Sequence, residues 1–339
     1  MFFKFRGFVL YAALLFASSA QANCLAFTEN ERLANYCLSE AISGKLVNEQ
    51  TAAIVFQRLS LEGYFGGLPK PLNDFDISPT LYYSDNINGG NPDKKLRLGN
   101  LEFDGEPNLV AKAGIVAGLT LNGNSRLTYG EGRYLNASAS ASLAYSTEHS
   151  LSYTRSNIQV CSKNKIRRDA HIDMCASANK HNKEISSSDE DSLTTSYSKM
   201  FFNEFGATEM KMSLRRLNVK DYAQNQLSLS SDLIHRNNGF YSLGLSLGES
   251  VKDQLATRYT VYMNAAKYYK GRKYNLIISH SFSDGGKLLG VDRKERSSSV
   301  VVSTGIRSDI SISIGYATVR SSIDYFDRSY PIVSLTRSW

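Results

Sequence analysis

The sequence predicts an all-β fold: an up-and-down antiparallel transmembrane β-barrel of about fourteen strands, with sixteen as the alternative, behind a short N-terminal α-helical hairpin. Three observations lead there. An export signal opens the chain, yet no later segment approaches the ~20 consecutive apolar residues of a membrane helix. From Ile77 onward, apolar residues recur at every second position. Turn residues break that alternation about every ten to fifteen residues.

The composition agrees with a barrel. The 339 residues include 24 Gly, 20 Tyr and 16 Phe but only 6 Pro. A barrel hides its apolar side chains at alternate positions, so its mean hydropathy stays moderate. A soluble sandwich has a similar composition, so the alternation pattern carries the argument.

The leader is read as residues 1–22. Lys4 and Arg6 precede the apolar run Phe8–Ala17, and Ala20 and Ala22 occupy the small positions before a cut. Asn23 ahead of Cys24 is not the Gly or Ala that a lipid-attachment site needs. Removing Lys4 and Arg6 takes the net charge from +7 to +5. That mild excess, without a basic helix, gives no reason to invoke nucleic acid.

Residues 23–66 change period. Thr28 and Glu31 have capping-box spacing, and Leu33, Ala34, Cys37, Leu38, Ala41 and Ile42 follow at helical intervals. After Gly44, Ala52, Val55, Phe56 and Leu59 repeat the pattern. These residues predict a helical hairpin in the periplasm, either a cap packed on the barrel or a plug or docking element. Residues 67–75 read as a Gly- and Pro-containing linker, and 76–339 as the barrel.

Within the barrel, Leu135, Ala137, Ala139, Ala141, Leu143 and Tyr145 share one face, against Asn136, Ser138, Ser140 and Ser142. Residues 241–247 and 310–316 repeat this, and Met210, Met212 and Leu214 oppose Lys211, Ser213 and Arg215. An apolar lipid face over a polar lumen face has this pattern. The expected strands lie near 76–84, 96–103, 109–121, 126–145, 149–160, 190–202, 207–217, 225–235, 239–249, 255–267, 272–284, 295–305, 309–319 and 329–339. A turn at Gly130–Gly132 with an extra strand near 170–182 gives the sixteen-strand alternative.

With the C-terminus on the periplasmic side, the short connections 104–108, 146–148, 203–206, 236–238, 268–271 and 306–308 fall there. The long polar segments 85–95, 161–189, 285–294 and 320–328 fall outside, as this barrel class prefers. The four cysteines predict two disulfides, Cys24–Cys37 in the hairpin and Cys161–Cys175 in the longest outer loop. Tyr82, Tyr83, Tyr145, Phe201, Phe202, Phe205, Tyr268, Tyr269, Tyr325, Phe326 and Tyr330 gather near strand ends, where headgroup-level aromatics belong.

Lys112, Lys211, Arg215, Arg258 and Lys273 share the expected lumen parity. Such bases favour small anionic solutes, unless acidic residues such as Asp284, Asp292 or Asp324 neutralise them. No catalytic constellation is legible. The five His are scattered, and His280 shares its face with Leu276, Ile278 and Phe282. The sequence offers no metal-ligand spacing, no phosphate loop and no cofactor motif, so an enzyme is not expected.

The last strand, Tyr330 to Trp339, resembles the C-terminal signal read by the outer-membrane barrel-assembly machinery. Val333, Leu335 and Trp339 carry its parity, and Arg337 departs from it. The segment Ser78 to Gly90 resembles the start of the C-terminal barrel in the surface lipoprotein assembly modifier family, through Asp85, Asn86, Ile87 and Asn88. That resemblance implies a fourteen-stranded outer-membrane barrel that helps move an exported lipoprotein to the cell surface. The helical region here is far shorter than that family's tetratricopeptide domain. The expectation is an outer-membrane barrel for transport or secretion. The alternatives are a structural or surface-interaction barrel with a plugged lumen and, behind it, a barrel enzyme.

Overall fold

The computed structural model describes Cys24 and residues 30–44, 49–98, 101–236, 239–307 and 309–337. The leader and Trp339 lie outside these residues, as does Thr28. Two helices come first, α1 (Glu31–Ser43) and α2 (Glu49–Leu61). Asn30 caps α1, its side-chain oxygen accepting from the Leu33 N–H at 3.0 Å. No helix among the described residues is long and apolar enough to cross a membrane.

Among the described residues sixteen strands follow: β1 (Leu72–Ser84), β2 (Lys95–Leu98), β3 (Leu101–Asp104), β4 (Gly114–Gly130), β5 (Arg133–Ser146), β6 (Leu151–Arg167), β7 (Ala170–Asn182) and β8 (Ser187–Asn203). The second half is β9 (Gly206–Val219), β10 (Tyr222–His235), β11 (Gly239–Gly248), β12 (Ala256–Tyr269), β13 (Arg272–Leu288), β14 (Val291–Gly305), β15 (Ile310–Ser321) and β16 (Arg328–Arg337). Fourteen of them form one closed antiparallel barrel, in which each strand pairs with the next and β1 pairs with both β4 and β16. The seam that closes it is short, with Thr80, Leu81 and Tyr82 of β1 in register with Thr336, Leu335 and Ser334 of β16.

The barrel has the expected number of strands, but two of them are not where the sequence placed them. Residues 96–103 do not join the barrel; β2 and β3 form a separate two-stranded hairpin. The long stretch 126–145 is cut by a turn at 131–132, and β7 fills part of the expected outer loop 161–189. One strand lost and one gained keep fourteen. The first strand also starts at Leu72, inside the expected linker.

The connections 131–132, 168–169, 204–205 and 270–271 lie at the barrel end where β1 begins and β16 finishes. The opposite end carries the long 85–113 segment with β2 and β3, and also 147–150, 183–186, 249–255 and 322–327. Segments 104–108 and 146–148, expected among the short turns of the first end, lie at the second. Segment 285–294 is mostly strand.

Alternation decides what each wall face carries. Met210, Met212, Leu214, Tyr241, Leu243, Leu245, Ile314, Val333 and Leu335 stand exposed on the outer face. On the inner face, hydroxyls pair across strands: Thr120 with Ser142 at 2.9 Å, Ser228 with Ser246 at 2.9 Å, and Ser279 with Ser299 at 2.7 Å. Three of the aromatics expected near the outer rim point inward instead. Tyr82 meets Tyr153 inside the barrel, and Phe202 and Tyr268 pack against the helices. Tyr145, Phe201 and Tyr269 remain on the outer face, and Phe205 is exposed in the turn between β8 and β9.

Candidate functional site

The lumen is the feature that function has to explain, and this chain builds into both of its mouths. At the short-turn end, the helical hairpin enters the barrel. Leu33, Tyr36, Cys37, Leu38, Val55, Leu59 and Tyr64 bury against Met200, Ala207, Ile234, Phe240 and Ala266. Those five wall residues come from β8 to β12 and share the inner face of their strands. The hairpin is therefore a plug inside the wall, not a cap outside it. The Cys24–Cys37 disulfide ties the leading segment to α1.

Polar contacts encircle that apolar seam. Arg32 donates to Asp173 at 2.7 Å and to Ser198 at 3.1 Å, with Glu209 at 3.6 Å. Asn30 donates to Glu209 and to Asp232 at 2.8 Å. Arg126 on β4 reaches Glu62 at 2.6 Å and Glu31 at 3.2 Å. Lys165 on β6 donates to the Gly63 carbonyl at 2.9 Å, and Arg168 to the Ser39 carbonyl at 3.0 Å. Burial works against the Arg32 charge, but the Asp173 and Glu209 carboxylates outweigh it, so its pKa moves up. Burial pushes the Tyr64 phenol up as well.

Several polar atoms at this interface are buried without a partner among the described residues: Asn35 Oδ1, Arg126 Nε, His171 Nδ1 and Asp173 Oδ1. Leaving such atoms unmatched costs stability. The plug is thus held by many contacts, but its seam is not sealed like a domain core.

At the opposite mouth, the four residues that carried the lipoprotein-modifier resemblance have a structural role. Ile87 is fully buried against the inward-facing Val116, Ala144, Tyr82 and Tyr153. Asn86 donates to the Gly90 carbonyl at 2.7 Å. The Asn88 side chain accepts from the Lys112 N–H at 2.9 Å and donates to the Val110 carbonyl at 2.9 Å. Asp85 lies 3.5 Å from Arg328. The start of this segment, from Asp85 to Gly90, therefore folds into the mouth against Val110 and Lys112 at its end.

The five expected lumen bases do not form a free cationic lining. Lys112 belongs to no strand; it lies in the 85–113 segment, where its backbone contacts Ile87 and Asn88. Arg215 is paired with Glu190 at 2.5 Å, and Arg258 lies 3.7 Å from Asp284 beside a register shift in β12. Lys211 and Arg215 do alternate with the exposed Met210, Met212 and Leu214. Lys273 sits near the short-turn end of β13, where its carbonyl accepts from Thr304. The acidic neighbours of Arg215 and Arg258 come from other strands, so no local pattern shows them.

Cys161 and Cys175 are bonded as expected, but not in a loop. They face each other across β6 and β7, two strands of the wall. Val333 and Leu335 lie on the outer face, and Arg337 pairs with Asp309 at 2.9 Å. Sequence reading missed Arg32, Asp173, Arg126 and Glu209. A charge on the lumen face is the one local signal that Asp173, Arg126 and Glu209 give, and Arg32 on α1 gives none.

No protein-family model and no curated protein matches the chain. Among solved structures, it is similar to OccAB2 of Acinetobacter baumannii, with 8% identity over 79% of this chain and 98% of that one, at a TM-score of 0.41. It is also similar to the outer-membrane channel DcaP of Acinetobacter baumannii, with 11% identity over 79% of this chain and 97% of that one, at a TM-score of 0.43. A BenF-like porin from Pseudomonas fluorescens Pf-5 gives 7% identity over 78% of this chain and 98% of that one, at a TM-score of 0.41.

Proposed function

We propose that this chain is an outer-membrane transport barrel whose N-terminal hairpin is its own plug. The observation that carries this reading is the contrast between the two faces of one wall. Outside, large apolar side chains stand exposed; inside, Ser, Thr and Asn dominate much of the wall. A barrel that served only as a scaffold has no need of an inner face made of small, neutral, hydrogen-bonding groups. A water-filled path does.

The outer apolar band suits lipid, and the outward parity of Val333 and Leu335 suits recognition by the barrel-assembly machinery. The end with the short turns is the periplasmic one in this barrel class. On that orientation the plug lies at the periplasmic mouth, and the 85–113 segment at the surface. An anion-selective pore loses its support, because Arg215 and Arg258 have acidic neighbours. Lipoprotein export gains none from Asp85, Asn86, Ile87 and Asn88, whose contacts are accounted for by folding the mouth segment. Density fractionation, followed by ion-conductance recording of the refolded protein in planar bilayers, tests the proposal. Co-migration with outer membranes and discrete conductance steps support it. A soluble periplasmic protein would refute it.

A further inference from the structure

Between the plug and the folded-in mouth segment, one part of the wall carries a continuous polar track. Asp76 on β1 is in register with Asn122 on β4, and Asn122 with Ser140 on β5. Ser140 is in register with Asn157 on β6, Asn157 with Asn179 on β7, and Asn179 with Glu190 on β8. Six neighbouring strands thus place a carboxylate, amide or hydroxyl along one row of the lumen wall, which climbs from the β1-start end at Asp76 towards the other end at Glu190 because barrel strands are tilted. Strand spacing sets the repeat at about 4.8 Å. Asp74, Asn124 and Ser138 form part of the next row. The β1 to β6 part of these rows, from Asp76 to Asn157 with Asp74, Asn124 and Ser138, lines a cavity of about 270 Å³.

The chemistry of the track selects a ligand class. Glu190 at its far end is neutralised by Arg215 at 2.5 Å. Asp76 accepts from Ser78 and, at 3.4 Å, from Asn122. Asn157 donates to Asn179. The Asn124 side-chain oxygen is buried and has no partner among the described residues. The carboxylates can only accept, whereas the amides and hydroxyls both donate and accept. A partner for the whole row must also do both, repeatedly and at short intervals. An ether chain only accepts, and a compact ammonium only donates. A row of alcohol groups meets every position.

We propose that this track binds a neutral, polyhydroxylated solute of the saccharide class. The inference rests on the transport reading only for the purpose of binding; the binding itself is measurable on a closed barrel. The test is calorimetric titration of the full-length refolded protein with maltotriose, chitotriose and sucrose. Triethylene glycol serves as the acceptor-only control and spermidine as the cationic control.

At least one saccharide is expected to bind, and Asn122→Leu with Asn157→Leu should weaken it at least tenfold. Asp76→Asn keeps the size of the side chain and can still accept, so it should weaken the same saccharide only a few-fold. That variant guards against a folding failure in the Leu pair. Binding by none of the three saccharides overturns the inference, as does spermidine binding that Asp76→Asn abolishes. Conductance separates the two proposals. A barrel that conducts without binding saccharide loses this inference alone, and a barrel that binds saccharide yet stays silent even as Arg32→Ala with Arg126→Ala loses the transport reading alone.

Discussion

Arg32 on α1 reaches 2.7 Å from Asp173 on β7, and the side chains keep only 15% and 6% of their exposure. The pair joins the plug to the wall. Removing one partner strands the other as a buried, uncompensated charge, a loss of about 3–5 kcal/mol in such settings. Arg32→Ala should therefore speed hydrogen exchange of the α1 amides while the strands stay protected. Replacing both partners, as Arg32→Met with Asp173→Leu, should do less damage than the single change. Equal protection of α1 in Arg32→Ala and the parent would show that the pair does not hold the plug.

The outward register can be tested on a single strand. Leu243 lies on the apolar outer face of β11 and Ser246 on the hydroxyl-lined inner face. Leu243→Arg should cost about 2–4 kcal/mol if it places a cation near the bilayer midplane. Ser246→Arg should cost far less. Reversible denaturation in lipid vesicles reads both, and a reversed order would mean the faces are inverted.

The Cys161–Cys175 bond closes a short loop, with a sequence separation of 14. By the chain-entropy model it contributes about 3 kcal/mol. The β6–β7 ladder runs well to both sides of it, from Thr154↔Asn182 to Arg167↔Ala170. Cys161→Ser with Cys175→Ser should thus lower stability and leave strand content unchanged. Circular dichroism with a denaturation midpoint checks this; a collapse of β-structure would contradict it.

Gly206 tests a backbone requirement. It opens β9 at φ +138°, and an added Cβ would fall 2.0 Å from the Ile234 carbonyl oxygen. That neighbour is backbone and cannot swing aside. Gly206→Ala should destabilise the barrel by more than about 1 kcal/mol. Gly271 also has a positive φ, but nothing lies near its Cβ position, so Gly271→Ala should cost less. Equal midpoints for the two variants would refute the steric account.

Much of the barrel was legible because alternation is local. Leu135 to Tyr145 declares its two faces without reference to any other strand. Closure and register depend on partners far along the chain. The 96–103 stretch alternates well enough to pass for a wall strand, yet its described residues pair only with each other, as β2 with β3. β7, with Asp173, Asn179 and His181 on its inner side, reads as loop because a lumen-lining strand need not be apolar on that side. Cys161 and Cys175 were paired correctly from proximity, but their place in the wall followed from β7. The two helices were legible from their period. Their position inside the barrel was not, because it depends on Arg32, Glu31 and Glu62 meeting Asp173 and Arg126 from distant strands.

The central claim, a conducting barrel closed by its own hairpin, is tested most directly by single-channel recording of the parent beside Arg32→Ala with Arg126→Ala. The parent should show rare or small openings. The double variant, which loses the links to Asp173 and to Glu31 and Glu62, should show steady, larger ohmic conductance. Traces that are silent in both proteins, although the double variant is folded and α1 exchanges freely, would contradict the account.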